Sequence, residues 1–106
     1  QAVQFMLAEI ATQIYTSESL IYRTAAKYDE GKMLSRESAI VKLFVSEALD
    51  KVVDLAMQIH GGMGYSKEMP IERFYRDARI NRIFEGTTEI QKIVIARDIL
   101  KRNGRM

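Results

Sequence analysis

Apolar positions near the start of the chain step alternately by four and three: Val3, Leu7, Ile10, Ile14 and Ile21, with Ser17 in the same register. That spacing puts them on one side of an α-helix, flanked by Met6, Leu20 and Ala25, with Glu9, Thr12, Arg23 and Lys27 on the solvated side. The helix is expected to stop near Asp29-Glu30-Gly31, where Gly31 can take the left-handed closing conformation. Ser35 is a candidate N-cap for a second helix. Its apolar residues Val41, Phe44, Val45, Ala48, Val52, Leu55, Ala56 and Ile59, widened by Leu49, Val53 and Met57, cover most of the circumference. A helix of that kind belongs at the centre of a bundle. Part of its apolar surface is expected to stay open and to favour self-association.

Gly61-Gly62-Met63-Gly64 ends the second helix, because glycines continue a helix only at a cost. The loop to Met69 leads into Pro70, suited to a first helical position. A third, shorter helix follows, with Ile71, Phe74, Tyr75 and Ala78 as its buried face and Arg73, Arg76, Arg79 and Arg82 as a basic face. The fourth carries Ile90, Ile93, Val94 and Leu100 and closes at Lys101-Arg102-Asn103-Gly104, with cations in the last turn and a glycine beyond. No segment alternates with period two. The pattern therefore predicts an all-α fold, a bundle of two long and two shorter helices, over residues 1–106 as one unit.

Composition narrows the chemistry. The 106 residues suffice for one domain, and the absence of cysteine removes disulfides, thiolate metal sites and cysteine nucleophiles. One histidine, His60, rules out a zinc site built on several imidazoles. No apolar run reaches the roughly 18 residues of a membrane span, and no secretory leader is evident, so a soluble intracellular protein is expected. The chain starts at Gln1 already inside a helical pattern, which suggests a segment of something larger. Charge is uneven: residues 1–72 carry a net −3 and residues 73–106 a net +5.

The candidate chemistry centres on Arg79-Ile-Asn-Arg-Ile-Phe-Glu-Gly-Thr-Thr-Glu-Ile-Gln91, where a basic helix breaks and another begins. Glu85 sits on the break, between apolar Ile83-Phe84 and Gly86, and Thr88-x-x-Gln91 fits the reciprocal capping pattern of a helix start. A carboxylate held beside apolar bulk is a stronger base than one in water, so Glu85 is a candidate proton acceptor. Surface turns rich in Glu and Gly are also common. The glycine cluster follows a helix rather than a strand and lacks the P-loop spacing and lysine. A phosphate directly at that electronegative helix end would be repelled, leaving a simple interhelical turn as the plainer reading. His60 reads as an exposed helix-end residue. The arginine row is broken by Glu72 and Asp77, the latter in i, i+4 register with Arg73, and its aromatics belong to the buried face; a nucleic-acid surface is not expected.

Taken together, Gln58-Ile-His-Gly-Gly-Met-Gly-Tyr-Ser-Lys-Glu68 with Arg73 and Asp77 resembles the C-terminal motif of the acyl-CoA dehydrogenases. Ile83-Phe84-Glu85-Gly86-Thr87 is similar to that family's Ile-Tyr-Glu-Gly-Thr, and Ala96-Arg97 fits its last helix. The resemblance covers essentially the whole chain. It implies the C-terminal helical domain lacking its first helix, from an FAD enzyme that converts acyl-CoA to trans-2-enoyl-CoA. It implies Glu85 as the base that takes the α-proton, its backbone N–H as a donor to the thioester oxygen, and Gly86 against the substrate. Thr87 and Glu89 match flavin-contacting positions; Gln58, Gly61 and Gly62 match the motif whose members reach the FAD of a neighbouring subunit. Metal is not implied. An electron-transfer flavoprotein as acceptor, a homotetramer or homodimer, and a bacterial cytoplasmic or mitochondrial-matrix location are further implications.

A glutamate at 85 disfavours the isovaleryl and long-chain branches, which place the base on another helix, and leaves short- and medium-chain-like substrates. Phe84 stands where tyrosine is more frequent. The domains that hold most of the flavin and acyl-CoA precede this region in the family, so the segment alone is expected to be inactive. Two alternatives stay open: a helical interaction module without chemistry, and a flavin oxidase or monooxygenase on the same bundle.

Overall fold

The computed structural model describes residues 1–104, and those residues form helices and turns without a strand. α1 (Ala2–Asp29) and α2 (Ser35–His60) are the two long helices. A single turn, α3 (Gly62–Tyr65), precedes α4 (Ile71–Arg79), which tightens into a 3₁₀ turn at Ile80–Arg82; α5 (Thr88–Arg102) completes the chain. The all-α expectation with two long and two shorter helices therefore holds. The addition is that the glycine loop winds into one helical turn.

Boundaries differ by a residue in two places. Leu34, not Ser35, is the N-cap of α2 and makes no side-chain cap bond. Pro70 is the N-cap of α4 rather than its first helical residue. α1 does close at Asp29, with Glu30 as C-cap and Gly31 at φ 82°.

α2 is the hub: it packs against α1, α3, α4, the 3₁₀ turn and α5. The core it organises is thin. Ala39, Ala48, Val53, Ile71 and Ala78 are its buried apolar residues, Ser46 and Thr88 its buried polar ones, and among the described residues no large side chain is fully enclosed. The radius of gyration is 16.8 Å, against about 13 Å for a compact domain of this length, in keeping with extents of 53 × 24 × 23 Å.

Two packing expectations are corrected. The α1 residues shielded against α2 include Met6, Ile10, Gln13, Ser17, Leu20, Thr24 and Lys27, spaced by four and three. The more apolar stripe through Val3, Leu7, Ile14 and Ile21 is exposed. Smaller and more polar side chains thus form much of the seam, and α1 keeps its apolar edge outside. The exposed large apolar residues accordingly lie mainly on α1 and α5, whereas Leu49 is the one such residue of α2 among those described. On α4, Phe74 and Tyr75 are exposed rather than buried, at 51% and 37%.

Candidate active site

Glu85 lies in the short connection between the 3₁₀ turn and α5, with φ 54°. It is the one non-glycine residue with positive φ among those described. The left-handed region crowds the Cβ of an L-residue, and such outliers persist where surrounding structure over-determines them. Gly86 follows at φ 93°. Two consecutive positive-φ residues bend the chain between the 3₁₀ turn and α5.

The restraint is Lys42, from the N-terminal half of α2. Its Nζ donates to the carbonyl oxygens of Asn81 at 2.7 Å, Phe84 at 3.1 Å and Gly86 at 2.6 Å. An ammonium has three N–H donors and no acceptor, so these carbonyls use all of them. Gln91 Nε2 adds a donation to the Gly86 oxygen at 3.3 Å. Sequence reasoning missed Lys42 altogether, since its partners are backbone atoms far along the chain.

Arg82 ties the preceding turn to α2. Its guanidinium meets Asp50 at 3.2 Å and Glu47 at 3.9 Å. The arginines thus do not act as one basic face: Arg76 pairs with Glu72 at 3.0 Å, and Arg73 lies 5.6 Å from the Phe74 ring centre. The described ion pairs do not include the i, i+4 pairing of Arg73 with Asp77. Arg76 is held above its ordinary range by its hydrogen bond to Glu72.

Thr87 is the N-cap of α5, its Oγ1 accepting from the Ile90 N–H at 3.2 Å. The expected capping box on Thr88 is not formed: the cap falls one residue earlier as a single bond, since Ile90 has no polar group to return one, and buried Thr88 turns its hydroxyl to the Arg82 carbonyl at 3.5 Å. The Glu85 carboxylate itself is exposed. The apolar shielding anticipated from Ile83 and Phe84 is not supplied by these neighbours, which are themselves 51% and 46% exposed. A groove of about 480 Å³ between α1 and α2, with Val41, Val45 and Leu49 in its walls, ends at Lys42 and Asn81 beside this turn.

The remaining candidates form two patches. Thr87 and Glu89 stand at the start of α5, where the cap satisfies Ile90 and leaves the Thr88 and Glu89 N–H groups without intrahelical partners. Gln58, Gly61 and Gly62 stand exposed at the other patch, the end of α2. A Cβ built on Gly62 meets nothing within 4 Å, so the backbone there is open to a planar or bulky ligand. Free N–H groups in one patch and bare backbone in the other suit a dinucleotide's pyrophosphate and rings. His60 is exposed, its Nδ1 2.7 Å from the Ala56 carbonyl. Among the described residues no group of three or more His, Cys, Asp or Glu is arranged to hold a metal, and no helix is long and apolar enough to cross a membrane.

Comparison with known proteins agrees with the all-α fold. The family profile "Acyl-CoA dehydrogenase, C-terminal domain" matches residues 1–100. The chain is 50% identical over 101 residues to the mitochondrial short-chain specific acyl-CoA dehydrogenase of Bos taurus, covering 95% of this chain and 24% of that protein. It is 48% identical over 102 residues to an acryloyl-CoA reductase (NADH) of Anaerotignum propionicum, covering 96% and 26%. Butyryl-CoA dehydrogenase from Megasphaera elsdenii superposes with a TM-score of 0.91 at 41% identity, covering 94% of this chain and 26% of that one. The chain thus spans about a quarter of the length of such relatives. It belongs to the acyl-CoA dehydrogenase family, of which it is the C-terminal helical domain.

Proposed function

We propose that residues 1–106 are the C-terminal unit of an FAD-dependent enzyme that dehydrogenates short or medium acyl-CoA thioesters to trans-2-enoyl-CoA. Glu85 is its catalytic base. The observation that carries this is the Glu85 turn: a carboxylate at φ 54° on a bend fixed to α2, in the family's Glu-Gly-Thr context. A base held in one place over a reacting carbon removes the orientational part of the barrier.

The Glu85 carboxylate accepts the α-proton as negative charge develops on the thioester oxygen. The Glu85 N–H donates to that oxygen, and Gly86 presents bare backbone to the substrate. FAD, when bound, supplies the acceptor for the β-hydride. Thr87 and Glu89 hold it at the N-terminus of α5, while Gln58, Gly61 and Gly62 serve the FAD of a neighbouring subunit, which requires a homo-oligomer, a dimer or tetramer. The other domains of the full protein complete the substrate site, so the segment alone does not turn over. An electron-transfer flavoprotein is the acceptor class this family membership suggests, and a bacterial cytoplasm or mitochondrial matrix the setting.

The test is Glu85→Gln in the full-length protein. Turnover should fall by about 1,000-fold or more while flavin stays bound; retained turnover would refute the assignment. A second reading is favoured by the similarity to a protein named acryloyl-CoA reductase. In it the same site runs in the opposite direction, with Glu85 as the acid that returns a proton to the α-carbon. Measuring both directions on one acyl/enoyl-CoA pair separates the two.

A further inference from the structure

We infer that Lys42 is a positioning residue for this reaction: by drawing the Phe84 and Gly86 carbonyls toward α2 it aims the Glu85 N–H outward as the donor to the substrate's thioester oxygen. The inference rests on the reading of Glu85 given above. The peptide bond between Phe84 and Glu85 is trans, since no cis peptide occurs among the described residues. In a trans peptide the carbonyl oxygen and amide hydrogen point in opposite directions. Lys42 Nζ holds that oxygen at 3.1 Å and thereby directs the Glu85 N–H away from α2. Among the described residues that N–H donates to nothing, so it stands free beside the carboxylate.

Two further contacts make the arrangement specific. The Gly86 oxygen, at 2.6 Å, ties down the Gly86–Thr87 peptide one residue beyond Glu85, and the Asn81 oxygen, at 2.7 Å, ties down the turn that leads into it. A positive charge on a peptide oxygen also polarises the amide, which strengthens its N–H as a donor. Lys42 therefore both orients and activates a donor that it never touches. As the α-C–H bond breaks, its proton passes to the Glu85 carboxylate and the electron pair delocalises toward the thioester oxygen, where that N–H stands.

The decisive variants are Lys42→Met and Glu85→Gln in the full-length flavoprotein. Each is read by turnover, by flavin content and by the infrared carbonyl stretch of bound butyryl-CoA isotopically labelled at the thioester carbonyl. Lys42→Met should keep its flavin, lose most of the red shift of that stretch and turn over about 100-fold more slowly, as for loss of one preorganised donor. Glu85→Gln should keep the full red shift, because its backbone N–H remains, while losing turnover. An unshifted rate and stretch in Lys42→Met, beside an inactive Glu85→Gln, overturns the role of Lys42 and spares that of Glu85. A turning-over Glu85→Gln removes the base assignment instead, and the carbonyl stretch still decides Lys42. Should Lys42→Met not hold flavin, Lys42→Gln, which keeps one amide donor, should fold with an intermediate shift. Loss of flavin in both overturns positioning in favour of a purely structural role.

Discussion

A Cβ built on Gly64 would stand 2.5 Å from the Cβ of His60. The obstacle is not the flexible end of a side chain but an atom fixed to the α2 backbone, and the Met57 carbonyl oxygen lies a further 3.3 Å from the same point. The single turn of α3 can therefore fold back on α2 only if this position lacks a side chain. Gly64→Ala should destabilise the chain by about 1–3 kcal/mol, the range for overpacking a tight contact, read as a lower denaturant midpoint. Gly62→Ala is the control. With nothing within 4 Å of its Cβ and a helical position that favours alanine, it should leave the fold as stable or more so. Weaker flavin retention in the full-length Gly62→Ala protein would then report a ligand contact rather than a folding defect.

Glu85 in the left-handed region implies a conflict between stability and chemistry. Glu85→Asn and Glu85→Gly, which tolerate φ 54° more readily, should raise stability by about 1 kcal/mol while removing the base. A higher melting temperature together with lost turnover is the expected pair. Unchanged or lower stability in both variants would show that the backbone there is not strained.

The α5 cap is a separable element. Thr87→Ala removes the acceptor of the Ile90 N–H and should cost about 1 kcal/mol. Thr87→Ser should recover most of it. If the two variants unfold at the same denaturant concentration, the hydroxyl contributes nothing.

Tyr75 gives the chain a pH signature. Its hydroxyl donates to Asp54 Oδ1 at 3.0 Å, and that hydrogen bond, aided by the Asp54 charge, holds the phenol above its ordinary range. A folded pKa raised above the unfolded value of about 10 stabilises the fold fully below that value, and the contribution is lost as pH rises through the folded pKa. Absorbance titration of tyrosinate should show a step above the ordinary phenol range, and Tyr75→Phe should abolish it. At the acid end the sign reverses. The hydrogen bond from Arg36 holds Glu37 below its ordinary range, so its contribution is present above the unfolded pKa and fades as pH falls.

The helices and the Glu85 break were legible because their signals are local: apolar spacing, the glycine cluster, Pro70, and Glu-Gly between two helical runs. What escaped depends on partners distant in sequence. Lys42 reads as one more polar residue on a helix, because the Asn81 carbonyl it binds lies 39 residues later and has no side-chain signature. Two adjacent threonines offered two registers for the α5 cap, and the buried place of Thr88 decided for Thr87. Periodicity found the richest stripe of α1 but not the direction of its partner, so the shielding of Gln13, Thr24 and Lys27 was overlooked. Positive φ at Glu85 was hidden beside a glycine that seemed able to supply the whole bend.

The thin core also sets how this chain melts. Three of its five buried apolar residues are alanines, so unfolding hydrates little new hydrocarbon. Its heat-capacity increment should fall below the usual ~12–15 cal/mol/K per residue, and its denaturant sensitivity should be correspondingly shallow. A calorimetric scan of the isolated chain would then give a broad, low endotherm. Its flatter stability curve also leaves this scaffold comparatively resistant to cold.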